Sequence, residues 1–460
     1  MQTIDMTKGK PWKLIIAFAL PIFLSNLFQQ LYNSADSAIV GQFLGINALA
    51  AVSSSGNLIF LFNAFFIGAA MGAGVLIAKS FGEKNYEAMQ KIIHTNVACG
   101  IVSAILLSLI GYFLSPYILV WMNTDSEVLP EATTYFRIYF LGIGGAVMYN
   151  FLNNILQAVG NSRRGLYYLV VSSLLNIALD LLFIGVFKKG VGAAALATGI
   201  SHFVSMLLCL MFLLKKGTVY RVSISKIRFY PGVLAKILKY GIPSGIQNSV
   251  IGLANVIVQG NINSFGNLAQ AGYGCYGKIE GFAFLPITSF NLALSTFISQ
   301  NLGAKEYERA KRGSRFGIIT SLILAETVGL IMFFFIEYIA LIFTSDPGVI
   351  QYAKDQATIA CLFYFLLSFS HSISSVCRGA GHAVVPMLVM LIVWCGIRVA
   401  YINIALSISN NIKLIYLAYP ITWSISSIIY FIYYHFVDWL HGFSKDDIRN
   451  RKESSELEEE

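Results

Sequence analysis

The sequence predicts an all-α polytopic membrane protein, with twelve transmembrane helices in two pseudo-symmetric bundles of six. Three observations carry that prediction. Of the 460 residues, 56% are hydrophobic and only 12% charged, whereas a water-soluble domain is usually about half apolar and about a quarter charged. The apolar residues come in runs of about twenty or more, the length that crosses a hydrocarbon core of roughly 30 Å. The chain also repeats itself. AKSFGEKNYEAMQK, from Ala78, recurs as SQNLGAKEYERAKR, from Ser299. Gly82 pairs with Gly303, Lys84 with Lys305 and Tyr86 with Tyr307, all 221 residues apart (303 − 82, 305 − 84, 307 − 86). Asp125 and Asp346 hold the same offset, as do Gly160 and Gly381, while Pro21 and Pro243 are 222 apart.

The spans follow in order from their boundaries. Lys8, Lys10 and Lys13 precede an apolar run with no small-residue cleavage site, so the first, 13–38, reads as a retained helix rather than a signal peptide. The second, 49–78, ends in the basic loop of Lys79, Lys84 and Lys91, from which the third, 92–117, departs. The fourth, 130–159, stops at Gly160. The fifth, 164–187, lies between Arg164 and Lys188, and the sixth, 190–214, ends at Lys215. The second set is 233–261, 269–300, 313–343, 350–378, 383–407 and 412–440. Residues 1–214 and 233–440 are therefore the two bundles, 215–232 a basic cytoplasmic linker, and 441–460 a charged, solvated cytoplasmic tail.

The formal charge of +9 reflects topology rather than a nucleic-acid partner. The basic residues sit in short loops between apolar runs, with no basic stretch interleaved with aromatics. With both termini inside, Arg137, Lys188, Lys189, Lys354 and Lys413 fall outside and the other loop Lys and Arg fall on the cytoplasmic side. That asymmetry orients a multi-pass protein of the inner (plasma) membrane. Because six is even, both copies enter the bilayer from one side. A pseudo-two-fold axis along the membrane normal is expected, with substrate sites between the halves.

Several classes are excluded. Cys99, Cys209, Cys275, Cys361, Cys377 and Cys395 form no CxxC, so neither a disulfide frame nor a thiolate metal site is indicated. No Walker-type phosphate loop, GxSxG or HExxH occurs. The chain is accordingly expected to be no enzyme, to hold no cofactor and to use no ATP. His94, His202 and His371 show no metal spacing, and Gly68 with Gly72 form a GxxxG of the kind that brings helices close.

Ionisable residues deep in a bilayer are costly and usually face a cavity with a partner. Here they are Asp36, Asp180, Lys278, Glu280, Glu326 and Arg398. Tyr32 lies four residues before Asp36, and Asn176 four before Asp180, each one turn away on the same helix face. Two neighbouring carboxylates in a low dielectric do not both ionise freely, so a proton or sodium ion is a natural third party. The other reading is that each acid only hydrates or caps a helix end. The repeat places Val258 opposite Asp36 (offset 222) and Tyr401 opposite Asp180 (offset 221). The acids thus belong to one half only, which favours function over packing. Lys278 and Glu280, two apart, point to different faces; Glu280 either faces a cavity or is neutralised, with Lys278, by Glu326 or Arg398.

Pro21, the series Gln29, Gln30, Tyr32, Asn33, Asp36, the paired Gly-Lys-Tyr loops, and Asn176 with Asp180 together resemble the multidrug and toxic compound extrusion (MATE) family, and more its DinF-like branch. The resemblance covers about residues 10–440. It implies that Pro21 kinks the first helix, that Asp36 is the coupling carboxylate, and that Tyr32, Asn176, Asp180 and Thr198 complete its network. Gln29, Asn33, Lys278 and Glu280 are the candidate substrate-cavity residues. The NorM-like sodium-coupled branch carries acids in helices 7 and 10, and none stands between Lys239 and Phe265 or between Gln356 and Arg378. The expectation is a monomeric secondary transporter that expels lipophilic, often cationic drugs against protons or sodium. The alternative is a lipid-linked precursor flippase of the same plan.

Overall fold

A computed structural model of the chain describes residues 3–121 and 129–443, without the side chains of 46, 47, 49–51, 53–62 and 121. Asp125 and the tail beyond residue 443 therefore lie outside the described residues. The rods in order are α1 (Pro11–Leu44), α2 (Ile46–Gly82), α3 (Tyr86–Trp121), α4 (Leu129–Ala158), α5 (Ser162–Asp180), α6 (Gly192–Leu214), α7 (Pro231–Asn263), α8 (Asn267–Ala283), α9 (Leu285–Gly303), α10 (Tyr307–Ala340), α11 (Pro347–Ala360), α12 (Tyr364–Gly379), α13 (Val384–Val389), α14 (Arg398–Ile408) and α15 (Ile412–Phe436). A π-helical turn, Leu181–Val186, extends α5, and another, Met390–Ile397, joins α13 to α14. Among the described residues, nine spans, or ten if α8 and α9 count as one, are long and apolar enough to cross a membrane. α4 and α7 are as long, at 30 and 33 residues, but more polar. Counted with them, the rods make twelve spans, and the all-α polytopic fold is as expected.

The internal repeat reappears as backbone geometry. Lys84 and Lys305 take left-handed φ of 57° and 60°, Gly160 and Gly381 take 82° and 87°, and Gly45 and Gly266 take 89° and 96°. Every pair is 221 residues apart (305 − 84, 381 − 160, 266 − 45). The turns are closed by matching bonds: Asn85 N donates to Ser80 O at 3.0 Å and Glu306 N to Asn301 O at 2.8 Å. Asn161 N donates to Leu156 O, and His382 N to Cys377 O, both at 2.8 Å. Glycine tolerates φ > 0 without a Cβ clash, which is why it recurs at two of the three paired turns.

Four expected helices are interrupted, that over 164–187 by the first π turn. The single helix expected over 269–300 bends by 41° between α8 and α9. Pro286, in the first turn of α9, has no N–H to give and breaks the ladder there. The helix expected over 350–378 passes through a short 3-10 turn, Cys361–Phe363, and that over 383–407 through the second π turn. Pro21 and Pro243, in contrast, sit inside uninterrupted helices.

The chain folds into two compact units. The first comprises Met1–Ile4, Leu24–Phe81 and Asn85–Gly245, the second Asp5–Phe23, Gly82–Lys84 and Ile246–Glu460. The chain leaves the second unit within α1 after Phe23 and the first within α7 after Gly245. Both points lie two residues beyond a proline (23 − 21, 245 − 243). Within the first unit, Gly68 and Gly72 do bring helices close. A Cβ on Gly68 would lie 2.6 Å from Gly245 Cα, and one on Gly72 2.7 Å from the carbonyl carbon of Tyr240. His94 also acquires a role there, accepting at Nε2 from Ser223 N at 2.9 Å and so pinning the linker to α3.

Candidate functional site

In the first unit α1, α4, α5 and α6 bring the predicted coupling residues together. Asp36 is 9% exposed and Asp180 is fully buried. Among the described residues no protein N–H or O–H reaches Asp36 Oδ1 or either oxygen of Asp180. Two buried ionised carboxylates in that position would go uncompensated at a cost of several kcal/mol. The two carboxyls are close enough to feel each other's charge, so a proton or cation taken up by the pair would relieve their repulsion. Asn176 Nδ2 donates to Thr198 Oγ1 at 3.4 Å, and Thr198 donates on to Ala194 O at 3.1 Å. Asn176 Oδ1 is buried without a donor, leaving an acceptor beside the acids. Asp180 is the last residue before the π turn. That irregularity recurs at functional sites because it shifts the side-chain register of a helix.

Tyr32 is buried within electrostatic reach of Asp36. Gln29 and Asn33 are themselves exposed. The sequence reading missed α4. Tyr135 and Tyr139 are buried, stack with centroids 6.0 Å apart, and lie near Asp36, Tyr135 also facing Asp180. Their spacing of four on one helix face was the available clue. An open pocket of 670 Å³ borders Glu131, Phe183, Phe187 and Lys189, just beyond the π turn, and takes in none of the predicted residues.

In the second unit, Glu280 accepts from Tyr364 OH at 3.0 Å, and Tyr276 OH lies 2.8 Å from Tyr364 OH. Lys278 is exposed and makes no ion pair among the described residues. Glu326 accepts from the backbone N of Phe365 at 3.0 Å, supplying a partner at the start of α12. Glu326 therefore serves the break between α11 and α12, while Arg398 is the basic group whose charge Glu280 feels.

Comparison with known proteins was made on this basis. The family model described as MatE matches residues 21–182 and again 243–402, stretches that begin 222 apart (243 − 21), the offset of the two prolines. The probable multidrug resistance protein YoeA of Bacillus subtilis is 28% identical over 447 residues, covering 94% of this chain and 96% of that one. The probable multidrug resistance protein NorM of Thermotoga maritima is 28% identical over 387 residues, 83% of each. A solved MOP superfamily transporter from Pyrococcus furiosus superposes with a TM-score of 0.88 at 21% identity, over 94% of this chain and 97% of that one. With matches spanning most of both halves, the chain belongs to the MatE family of integral membrane transporters.

Proposed function

We propose that this transporter expels small lipophilic, often cationic organic compounds in exchange for protons, or less readily sodium, by alternating access, as a monomer of the plasma membrane with both termini cytoplasmic. Multidrug resistance names among its relatives support the substrate class. The observation that carries the coupling is the buried Asp36–Asp180 pair: among the described residues Asp36 Oδ1 and both Asp180 oxygens lack a protein donor, and a proton or cation would compensate them. Asp36 loads the ion, Tyr32, Asn176 and Thr198 hold its surroundings, and loading shifts α1 between two bends at Pro21. Proline suits that hinge because it removes one backbone donor and strains the preceding turn. The absence of acids between Lys239 and Phe265 and between Gln356 and Arg378 keeps the reading with the DinF-like branch.

The test is dye efflux from vesicles with proton and sodium gradients set separately, alongside equilibrium dye binding. Asp36→Asn should keep binding and lose gradient-driven efflux, and Asp180→Asn should show a milder loss. Efflux near the parent rate in Asp36→Asn would refute the coupling role.

A further inference from the structure

Arg398 is, among the described residues, the largest fully buried side chain, at 1% exposure. A guanidinium at such a place usually has a carboxylate partner, yet among the described residues none lies within ion-pair distance of it. Two rings lie beside it, with the guanidinium carbon 5.0 Å from the Trp394 centroid and 4.5 Å from that of Tyr419. Cation–π contact of that kind offsets part of the burial cost. One Nη2 proton goes to Thr422 Oγ1 at 3.0 Å, and Nε has no acceptor at all. Trp423, 2% exposed, has an Nε1 likewise without an acceptor. Its ring lies 5.8 Å from Tyr419 and 5.9 Å from Tyr364, so both orphaned donors belong to one wall formed by α14, α15 and α12. Glu280, on α8, is the acid whose charge Arg398 feels.

A second, independent feature marks the same place. Arg398 is the first residue after the π turn of its helix, as Asp180 is the last before the π turn of α5. At the repeat offset, Arg398 falls on Ile177 (398 − 221), one turn from Asp180, and Tyr419 falls on Thr198 (419 − 221). Corresponding helices thus carry acid in the first half and base in the second.

The geometry points to a binding site in the second half, centred on Arg398 and Trp423 Nε1, for the carboxylate of an amphoteric aromatic compound. The site rests on the exporter reading above and names a substrate class for it. A guanidinium presents a planar fork that matches a carboxylate with two parallel bonds. Tyr273, whose OH lies 2.8 Å from that of Tyr419, and Trp423 supply flat surface for the ring system. Glu280 acts on Arg398 through its charge and without a direct contact, so a bound carboxylate would compete with it for that charge.

A matched pair of probes isolates the carboxylate: a rhodamine dye with a free acid, and its methyl ester. Binding to the full-length protein is read by fluorescence anisotropy in detergent, and efflux from vesicles. The parent should bind the free acid more tightly than the ester. Arg398→Gln should weaken the acid by about tenfold, the loss of charge-assisted hydrogen bonds, and leave the ester unchanged. Arg398→Lys should fall between, because an ammonium lacks the fork. Glu280→Gln should strengthen acid binding by removing the competitor. Equal losses for acid and ester in Arg398→Gln, or an acid affinity no better than the ester's in the parent, overturn the proposal. Should Arg398→Gln fail to fold, Arg398→Lys and Glu280→Gln carry the same test. Selective acid binding with no efflux of either dye would leave the site standing and defeat the exporter reading instead.

Discussion

Replacing Gly68 or Gly72 with alanine tests the packing of the first unit most sharply. A Cβ on Gly68 would stand 2.6 Å from both N and Cα of Gly245, and one on Gly72 would stand 2.7 Å from the carbonyl carbon of Tyr240. From the opposite side, a Cβ on Gly241 would meet Ala69 O at 2.7 Å and one on Gly245 would meet Phe65 O at 2.8 Å. Ordinary carbon contacts are about 3.5–4.0 Å, so α2 and α7 must separate by about 1 Å locally. All the nearest atoms at Gly68 and Gly72 are backbone, and no rotamer change can absorb the clash. Overpacking of this kind costs about 1–3 kcal/mol, against about 1 kcal/mol regained because alanine is the better helix former. Each substitution should therefore destabilise by up to about 2 kcal/mol. Gly260→Ala, in α7 with nothing within 4 Å of its added Cβ, should instead be neutral or stabilising. Thermal unfolding in detergent, followed by tryptophan fluorescence, orders the three variants. Melting of Gly68→Ala and Gly72→Ala at or above the parent, with Gly260→Ala unchanged, would refute the close approach of the helices.

Gly45→Ala and Gly266→Ala meet no atom within 4 Å, so the cost is left-handed backbone strain alone, about 1–2 kcal/mol at each; unequal melting shifts would show that the repeated turns are not equivalent. Glu280→Gln should weaken export of cations more than of neutral compounds, as read by efflux of a charged and an uncharged dye, and equal loss with poor expression would assign Glu280 a structural role. Pro243→Ala restores a backbone donor to α7 and should slow efflux while raising thermal stability, as Pro21→Ala should in α1; unchanged turnover in both variants would exclude the prolines as hinges.

How much of this could be read in advance depends on the range of the interaction involved. Run length and charge density determine that a segment crosses a membrane, because the bilayer is a solvent that every residue meets independently, and the spans were legible for that reason. The repeat was legible too, since Lys84 and Gly160 mark turns whose left-handed φ is a local requirement, and their partners 221 residues on take nearly the same values. Asp36, Asp180 and Asn176 could be singled out by residue type and helical spacing, and Thr198 by the family resemblance.

What spacing could not supply was everything that depends on which helix lies beside which. Tyr135 and Tyr139 read as ordinary aromatics until α4 placed them against the two acids. Glu326, an intramembrane acid by sequence, serves a backbone N–H at a helix break that only the folded chain reveals. Arg398 was one charge among six, and the rings of Trp394 and Tyr419 and the empty edge at Nε gave it a distinct chemistry. The amino-acid sequence by itself determined the solvent, the spans and the duplication, all set by each segment's own composition. Tertiary structure alone decided which buried polar atoms are satisfied, because a hydrogen-bond partner hundreds of residues away leaves no local trace.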